Sequence, residues 1–259
     1  MAPEEIERQR VYIYEGTPSV IYAQGELDYR NCSLLSDIIH ERLDKEETVE
    51  LALSDLDFVD SSGLRVLVKA ATNAADQGRA LKIVSLAPQL SHILDVSGFR
   101  PLFDLPAMEV APAKHETKRK NANLGACCFR IPSDMASCRI ARNEICSFAE
   151  HMGFGQADLD DIRLAVGEAV SNAVRHGNCA EDDDISVHCK SMPQGLSVTF
   201  SYPSLAFDPG SVPVPDSSCP EEGGMGIHFM RLVMDLVNYA FEDGMVTLTL
   251  EKHFSGIGN

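Results

Sequence analysis
Apolar positions along the first half of the chain keep switching period. Residues 11–15 and 19–27 read as two β-strands about the turn-forming Gly16-Thr17-Pro18. Over residues 29–43, Leu34, Leu35, Ile38, Ile39 and Leu43 fall at helical spacing and predict a helix with one buried face. Residues 49–53 form an apolar run suited to a buried strand. A helix is predicted over residues 62–77, ending near Gly78. A strand over 81–86 and a short helix over 88–96 follow, the helix stopping before Ser97-Gly98. Strands alternating with helices predict an α/β domain over residues 1–110.

Residues 111–126 lose this periodicity. Pro112, Lys114, Lys118, Arg119 and Lys120 mark a solvated, basic linker. A flexible segment of that length has an r.m.s. span of roughly 20–25 Å, enough for the two halves to meet in one molecule. Beyond it, residues 127–259 predict a second α/β (α+β) domain, a two-layer sandwich. Its elements are a strand over 127–132 and helices over 135–152 and 159–175, broken by Gly153-Phe154-Gly155. Strands over 185–191 and 196–201 come next, then a Pro- and Ser-rich loop over 203–222, of the kind that lies over a site. A helix over 227–241 and a strand over 245–251 close the pattern.

Composition removes several classes of function. The chain has 259 residues, 44% hydrophobic and 24% charged, with a net charge of −17. Both domains are acidic, which excludes nucleic acid and anionic membrane as expected partners. No apolar run approaches the roughly 18 residues of a membrane span. Residues 1–10 are polar and lack a signal-peptide core, so a cytoplasmic protein is expected. Eight cysteines (Cys32, Cys127, Cys128, Cys138, Cys146, Cys179, Cys189 and Cys219) include no C-x-x-C spacing. Reduced core thiols are expected rather than a metal site. His188 and Cys189, adjacent in a strand-like run, point to opposite faces and make a poor chelating pair.

Candidate chemistry gathers in two places. In the helix over 159–175, Ile162, Val166, Ala169, Val170 and Ala173 form the apolar face. Glu168, Asn172, Arg175 and His176 share the opposite stripe. A carboxylate and an amide one turn apart suit a general base and a Mg²⁺ ligand. The same residues also suit a plain solvated stripe. The second place is Gly223-Gly224-Met225-Gly226, directly before an apolar-periodic helix, where backbone N–H groups can approach phosphate.

Taken together, Glu168 to Gly177, Phe207-Asp208-Pro209 and Gly223 to Asp235 resemble the anti-sigma-factor serine kinases of the histidine-kinase-like ATPase superfamily. The likeness covers roughly residues 127–254. It implies ATP and Mg²⁺ as cofactors, Glu168 as catalytic base and Asn172 as metal ligand. It further implies His176, Gly177, Asp208, Gly223, Gly224 and Gly226 as nucleotide-binding residues. The pattern departs from the family before Phe207: Tyr202 stands where the family has an adenine-reading Asp, and Ser204 and Ala206 replace two glycines. A phenol cannot accept from the adenine amino group as a carboxylate does. Both an active serine kinase and a non-catalytic binding module stay open.

A second resemblance covers residues 10–107. Gly25-Glu26-Leu27-Asp28, Asp60-Ser61-Ser62-Gly63-Leu64 and Asp95-Val96-Ser97-Gly98-Phe99 resemble the blocks of the STAS domain of anti-sigma-factor antagonists. That likeness implies Ser61 as phosphoacceptor. The position is a strand-to-helix junction, where an exposed serine hydroxyl is expected near free N–H groups. Alternatively, Ser61 or Ser62 is only a helix N-cap. The two resemblances imply a partner-switching regulator of sigma-factor-dependent transcription. Its implied partners are a sigma factor, an antagonist or kinase, and a phosphatase, with contact between its own halves; a homodimer is left open.

Overall fold
A computed structural model describes residues 11–15, 20–103, 105, 125–177, 184–204 and 224–254. These fall into two compact units, one holding residues 11–105 and the other 125–254. No helix among the described residues is long and apolar enough to cross a membrane.

The first unit runs β1 (Val11–Glu15), β2 (Val20–Leu27), α1 (Cys32–Leu43), β3 (Thr48–Val59), α2 (Ser61–Asp76), β4 (Ala80–Leu86) and α3 (Pro88–Val96). Its sheet has the order β1-β2-β3-β4. β1 and β2 are antiparallel, while β2–β3 and β3–β4 are parallel pairs. Parallel neighbours need a crossover, which α1 and α2 supply. The core is Ile21, Leu27, Leu35, Ile39, Leu51, Leu53, Leu64, Leu67 and Ile83. Two boundaries differ from the sequence pattern. β3 continues past residue 53 to Val59, because exposed Ser54, Asp55 and Asp57 interrupt the apolar run while Leu56, Phe58 and Val59 stay buried. α1 starts at Cys32 rather than residue 29. The Asp28 carbonyl accepts from Asn31 N and Cys32 N, and Asn31 Oδ1 accepts from Asp28 N at 3.0 Å, closing a turn first. The Gly16-Thr17-Pro18 turn lies outside the described residues.

The second unit runs β5 (Ala126–Pro132), α4 (Ser137–Met152), α5 (Gln156–His176), β6 (Asp184–Met192), β7 (Gly195–Pro203), α6 (Met225–Val233), β8 (Leu236–Glu242) and β9 (Met245–His253). Five strands form an antiparallel sheet in the order β5-β6-β7-β9-β8. One sheet face, with Ile131, Val187, Cys189, Val198, Phe200, Leu248 and Leu250, is buried; the helices supply Ala141, Ile145, Ile162, Val166 and Ala169. The predicted helix over 227–241 is overturned. α6 ends at Val233, Met234 turns extended (φ −107, ψ 147), and the remainder is strand β8.

Candidate functional site
α5 carries the candidate catalytic pair. Glu168 is 3% exposed and Asn172 is 9% exposed, whereas Arg175 and His176 at the helix end face outward. The solvated-stripe reading therefore fails for Glu168 and Asn172, and these are the positions where burial gives a carboxylate and an amide chemical leverage. β8 brings Tyr239 to the same place. Burial pushes its phenol up to about 12; the Asn172 side chain opposes that rise, the Glu168 charge adds to it, and Arg231 of α6 opposes it. The sequence pattern gives Tyr239 and Arg231 no role, because residues 227–241 read as one continuous helix face.

The Asn172 Nδ2 is buried and makes no hydrogen bond of normal geometry among the described residues, although its carboxamide lies beside the phenol. The oxygen of a buried carboxamide is the kind of donor a hard cation takes. Among the described residues no group of three His, Cys, Asp or Glu side chains could hold a metal. Mg²⁺ takes one or two protein ligands and completes its shell with phosphate and water, so the Asn172 amide oxygen would be one protein ligand for it. The residues present thus fit Mg²⁺.

The end of α5 meets the end of β7. Ser204 Oγ donates to the His176 carbonyl at 3.4 Å, and Ser204 N donates to the Gly244 carbonyl at 2.9 Å. Gly177 N donates to the Ala173 carbonyl and closes the helix. Burial, then the Arg175 charge, lowers the His176 pKa. Tyr202 is 2% exposed on the buried sheet face, opposite Val246 of β9. Gly224 precedes α6 in the left-handed region (φ 85), which explains a glycine there; its carbonyl accepts from His228 N at 3.0 Å. Gly226 is buried in the first turn of α6. α6 packs on α5. Ala206, Asp208, Gly223 and most of the loop over 203–222 lie outside the described residues.

In the first unit, the serine loop differs from both expectations. Asp60, not a serine, is the N-cap of α2: its Oδ1 accepts from Ser62 N at 2.8 Å and Gly63 N at 2.9 Å. Its Oδ2 accepts from Tyr29 N at 3.1 Å, tying β2's end to the helix start. Ser61 is the first residue of α2 and is 8% exposed, so the expected open hydroxyl is instead largely covered; Ser62 is buried too. Burial pushes the Asp60 carboxyl up to about 6, the amides of Gly63, Tyr29 and Ser62 oppose this, and nearby Asp28 adds to it. Asp28 is itself buried and paired with Arg30.

Two family models match the chain. Residues 14–104 match a STAS domain model ("Mlab, STAS domain") and residues 131–252 match the histidine kinase-like ATPase domain. The serine-protein kinase RsbW of Bacillus velezensis is 29% identical over 138 residues, covering 49% of this chain and 85% of its own. Its counterpart in Bacillus cereus is 25% identical over 129 residues, covering 46% and 80%. Among solved structures, the RsbU and RsbW domains of Rv1364c from Mycobacterium tuberculosis align with a TM-score of 0.38 at 16% identity, over 49% of this chain and 31% of that one. The match therefore spans about a third of that protein's length. An anti-sigma factor antagonist from Mycobacterium paratuberculosis aligns with a TM-score of 0.32 at 19% identity, over 38% of this chain and 86% of that one.

Proposed function
We propose that this chain, in which a STAS domain is joined to a histidine kinase-like ATPase domain, is a partner-switching regulator of sigma-factor-dependent transcription whose second domain phosphorylates serine. The observation that carries this reading is the pair Glu168 and Asn172, buried one turn apart on α5 within the residues that match the histidine kinase-like ATPase domain. Glu168 accepts the proton of the acceptor serine as that oxygen bonds the γ-phosphorus and the bond to the departing ADP oxygen breaks. Asn172 would hold Mg²⁺ through its amide oxygen, and Tyr239 lies beside its carboxamide. Mg-ATP supplies the phosphoryl group and the charge neutralisation. Gly224 and Gly226 would let backbone amides at the start of α6 meet phosphate, and His176 and Gly177 would add nucleotide contacts; Gly223 and Asp208, outside the described residues, are assigned to the same site by the sequence pattern alone.

Ser61 is the phosphoacceptor of the STAS domain in this reading. Phosphate there adds about −1.5 to −2 charges beside Asp28 and Asp60, both already buried, and so weakens docking of an acidic partner. Incubation with Mg-ATP and an antagonist-type STAS protein, followed by phosphopeptide mapping, tests the kinase activity. Phosphoserine that disappears in Glu168→Gln is expected, and its absence from wild type overturns the reading. One observation favours a second reading, a binding module that sequesters a sigma factor or antagonist without phosphoryl transfer. Tyr202, not a carboxylate, faces the helix layer where adenine is read in relatives of this pattern. In that case the chain binds its partner and leaves it unmodified.

A further inference from the structure
The helix-free face of the five-stranded sheet carries a side-chain cluster that the nucleotide reading does not use. Register places Cys128, His188, Thr199, Thr249 and Asn238 in one row across the strands. The next row holds Arg130, Ser186, Ser201 and Thr247. Cys128, His188 and Arg130 are all exposed. Ser191 N donates to the Gly125 carbonyl at 3.0 Å, which makes that pair a hydrogen-bonded one. Such pairs recur at every second residue, so Cys128–His188 falls between them as a non-hydrogen-bonded pair, the type whose side chains approach more closely. Arg130 lies two residues along β5 from Cys128, roughly 7 Å away at the rise of a strand, and is diagonal to His188. A cavity of about 330 Å³ opens over this corner, with Cys128, Arg130, Ser186, His188, Thr199 and Ser201 in its lining and no carboxylate among them.

An exposed thiol beside an arginine is open to exchange with a dissolved disulfide, where a buried one is not. The other described thiols contrast with it: Cys32, Cys138, Cys146 and Cys189 are buried and Cys127 is half-buried on the opposite face. Burial pushes the Cys189 thiol up to about 12.

We propose that Cys128 is a thiol-modification site that exchanges with small acidic disulfides, whose carboxylates are received by Arg130 and His188. The Cys128 thiolate sulfur attacks one sulfur of the disulfide, the old S–S bond breaks, and the other half leaves as a thiolate that takes up the proton Cys128 gave to solvent. The product is a mixed disulfide that hangs an acidic group on the open sheet face.

The test compares glutathione disulfide with the neutral bis(2-hydroxyethyl) disulfide on the full chain, read by intact mass and fragment mapping. The expected result is that Cys128 gains a half-disulfide before any other described cysteine, and that glutathione disulfide reacts faster. Arg130→Ala should lower the charged-to-neutral rate ratio about three-fold per carboxylate, the Coulomb effect of unit charges about 7 Å apart in water, and Arg130→Lys should restore it. His188→Ala should slow both reagents, and Cys128→Ser should leave no adduct at this position. All three side chains are exposed, so thermal melts of the variants should match wild type. Equal rates for the two disulfides, a ratio insensitive to Arg130, or first reaction at Cys127 overturns the proposal.

Discussion

Asp60→Asn separates charge from capping in the serine loop. Asparagine caps helices as well as aspartate, and its oxygen can still accept from Ser62 N and Gly63 N, as the carboxylate does at 2.8 and 2.9 Å. The second oxygen, which accepts from Tyr29 N at 3.1 Å, becomes an amide donor. That leaves a buried N–H facing another donor, at about 1–3 kcal/mol. Charge works in the other direction. Burial moves the Asp60 carboxyl from 3.8 to about 6, so the folded state holds the proton more tightly than the unfolded one. The stability contributed by the protonated form is fully present below 3.8 and is lost as pH rises through about 6. Between pH 4 and pH 7 that loss is about 2–3 kcal/mol, and the variant does not share it. Asp60→Asn should therefore be less stable than wild type at pH 4 and close to it, or ahead of it, at pH 7. Urea unfolding of the full chain at both pH values, followed by far-UV circular dichroism, measures the two offsets; the chain has no Trp to report by fluorescence. An offset that is the same at both pH values would refute a buried, ionisable Asp60.

Three further outcomes follow from the packing. Gly63→Ala places a Cβ 2.8 Å from the Leu27 carbonyl oxygen and 2.9 Å from Leu27 Cγ, so thermal melts should show a loss of about 1–3 kcal/mol. Lys252→Met removes the cation that meets Asp161 at 2.6 Å and Asp158 at 3.9 Å. Asp161 and Asp158, both buried near the start of α5, lose that charged donor, so urea unfolding should show a loss of about 1.5–3 kcal/mol. Tyr239→Phe takes away the hydroxyl beside Asn172; the melting temperature should barely move, while calorimetry should show nucleotide binding that needs more Mg²⁺.

The apolar rhythm made most elements legible. α3 spans the residues its pattern predicts, and β5, α4, α5, β6, β7 and β9 shift only at their ends. β8 was hidden because Val233, Met234, Val237 and Phe241 extend the helical spacing of α6 and no glycine marks its end. The strand signal was the alternation of Val237 and Tyr239 with Leu236, Asn238 and Ala240, closed by Asp243-Gly244. Both turn residues have positive φ, as a tight hairpin requires. Missing β8 also meant missing Tyr239. In the serine loop, local motif chemistry marked a helix start but not which side chain caps it. Asp60 wins that position because its second oxygen also reaches Tyr29, a contact made by residues 31 positions apart that no local pattern encodes. Asp158 shows the same limit: it suits the positive end of α5, yet it is buried and lies 3.9 Å from Lys252 of β9. Among the described thiols Cys128 is exposed, because it sits on the open face of an edge strand, and Cys127 is half-buried, while Cys32, Cys138, Cys146 and Cys189 fit the core reading.

The central claim, a nucleotide site built on Glu168 and Asn172, is tested most directly by calorimetric titration of the full chain with ATP, with and without Mg²⁺. The account expects one-site binding that depends on Mg²⁺ and is lost in Asn172→Ala. GTP should bind about as well, because Tyr202 offers no carboxylate to read the exocyclic amine. No heat and no thermal shift at millimolar Mg-ATP would contradict it.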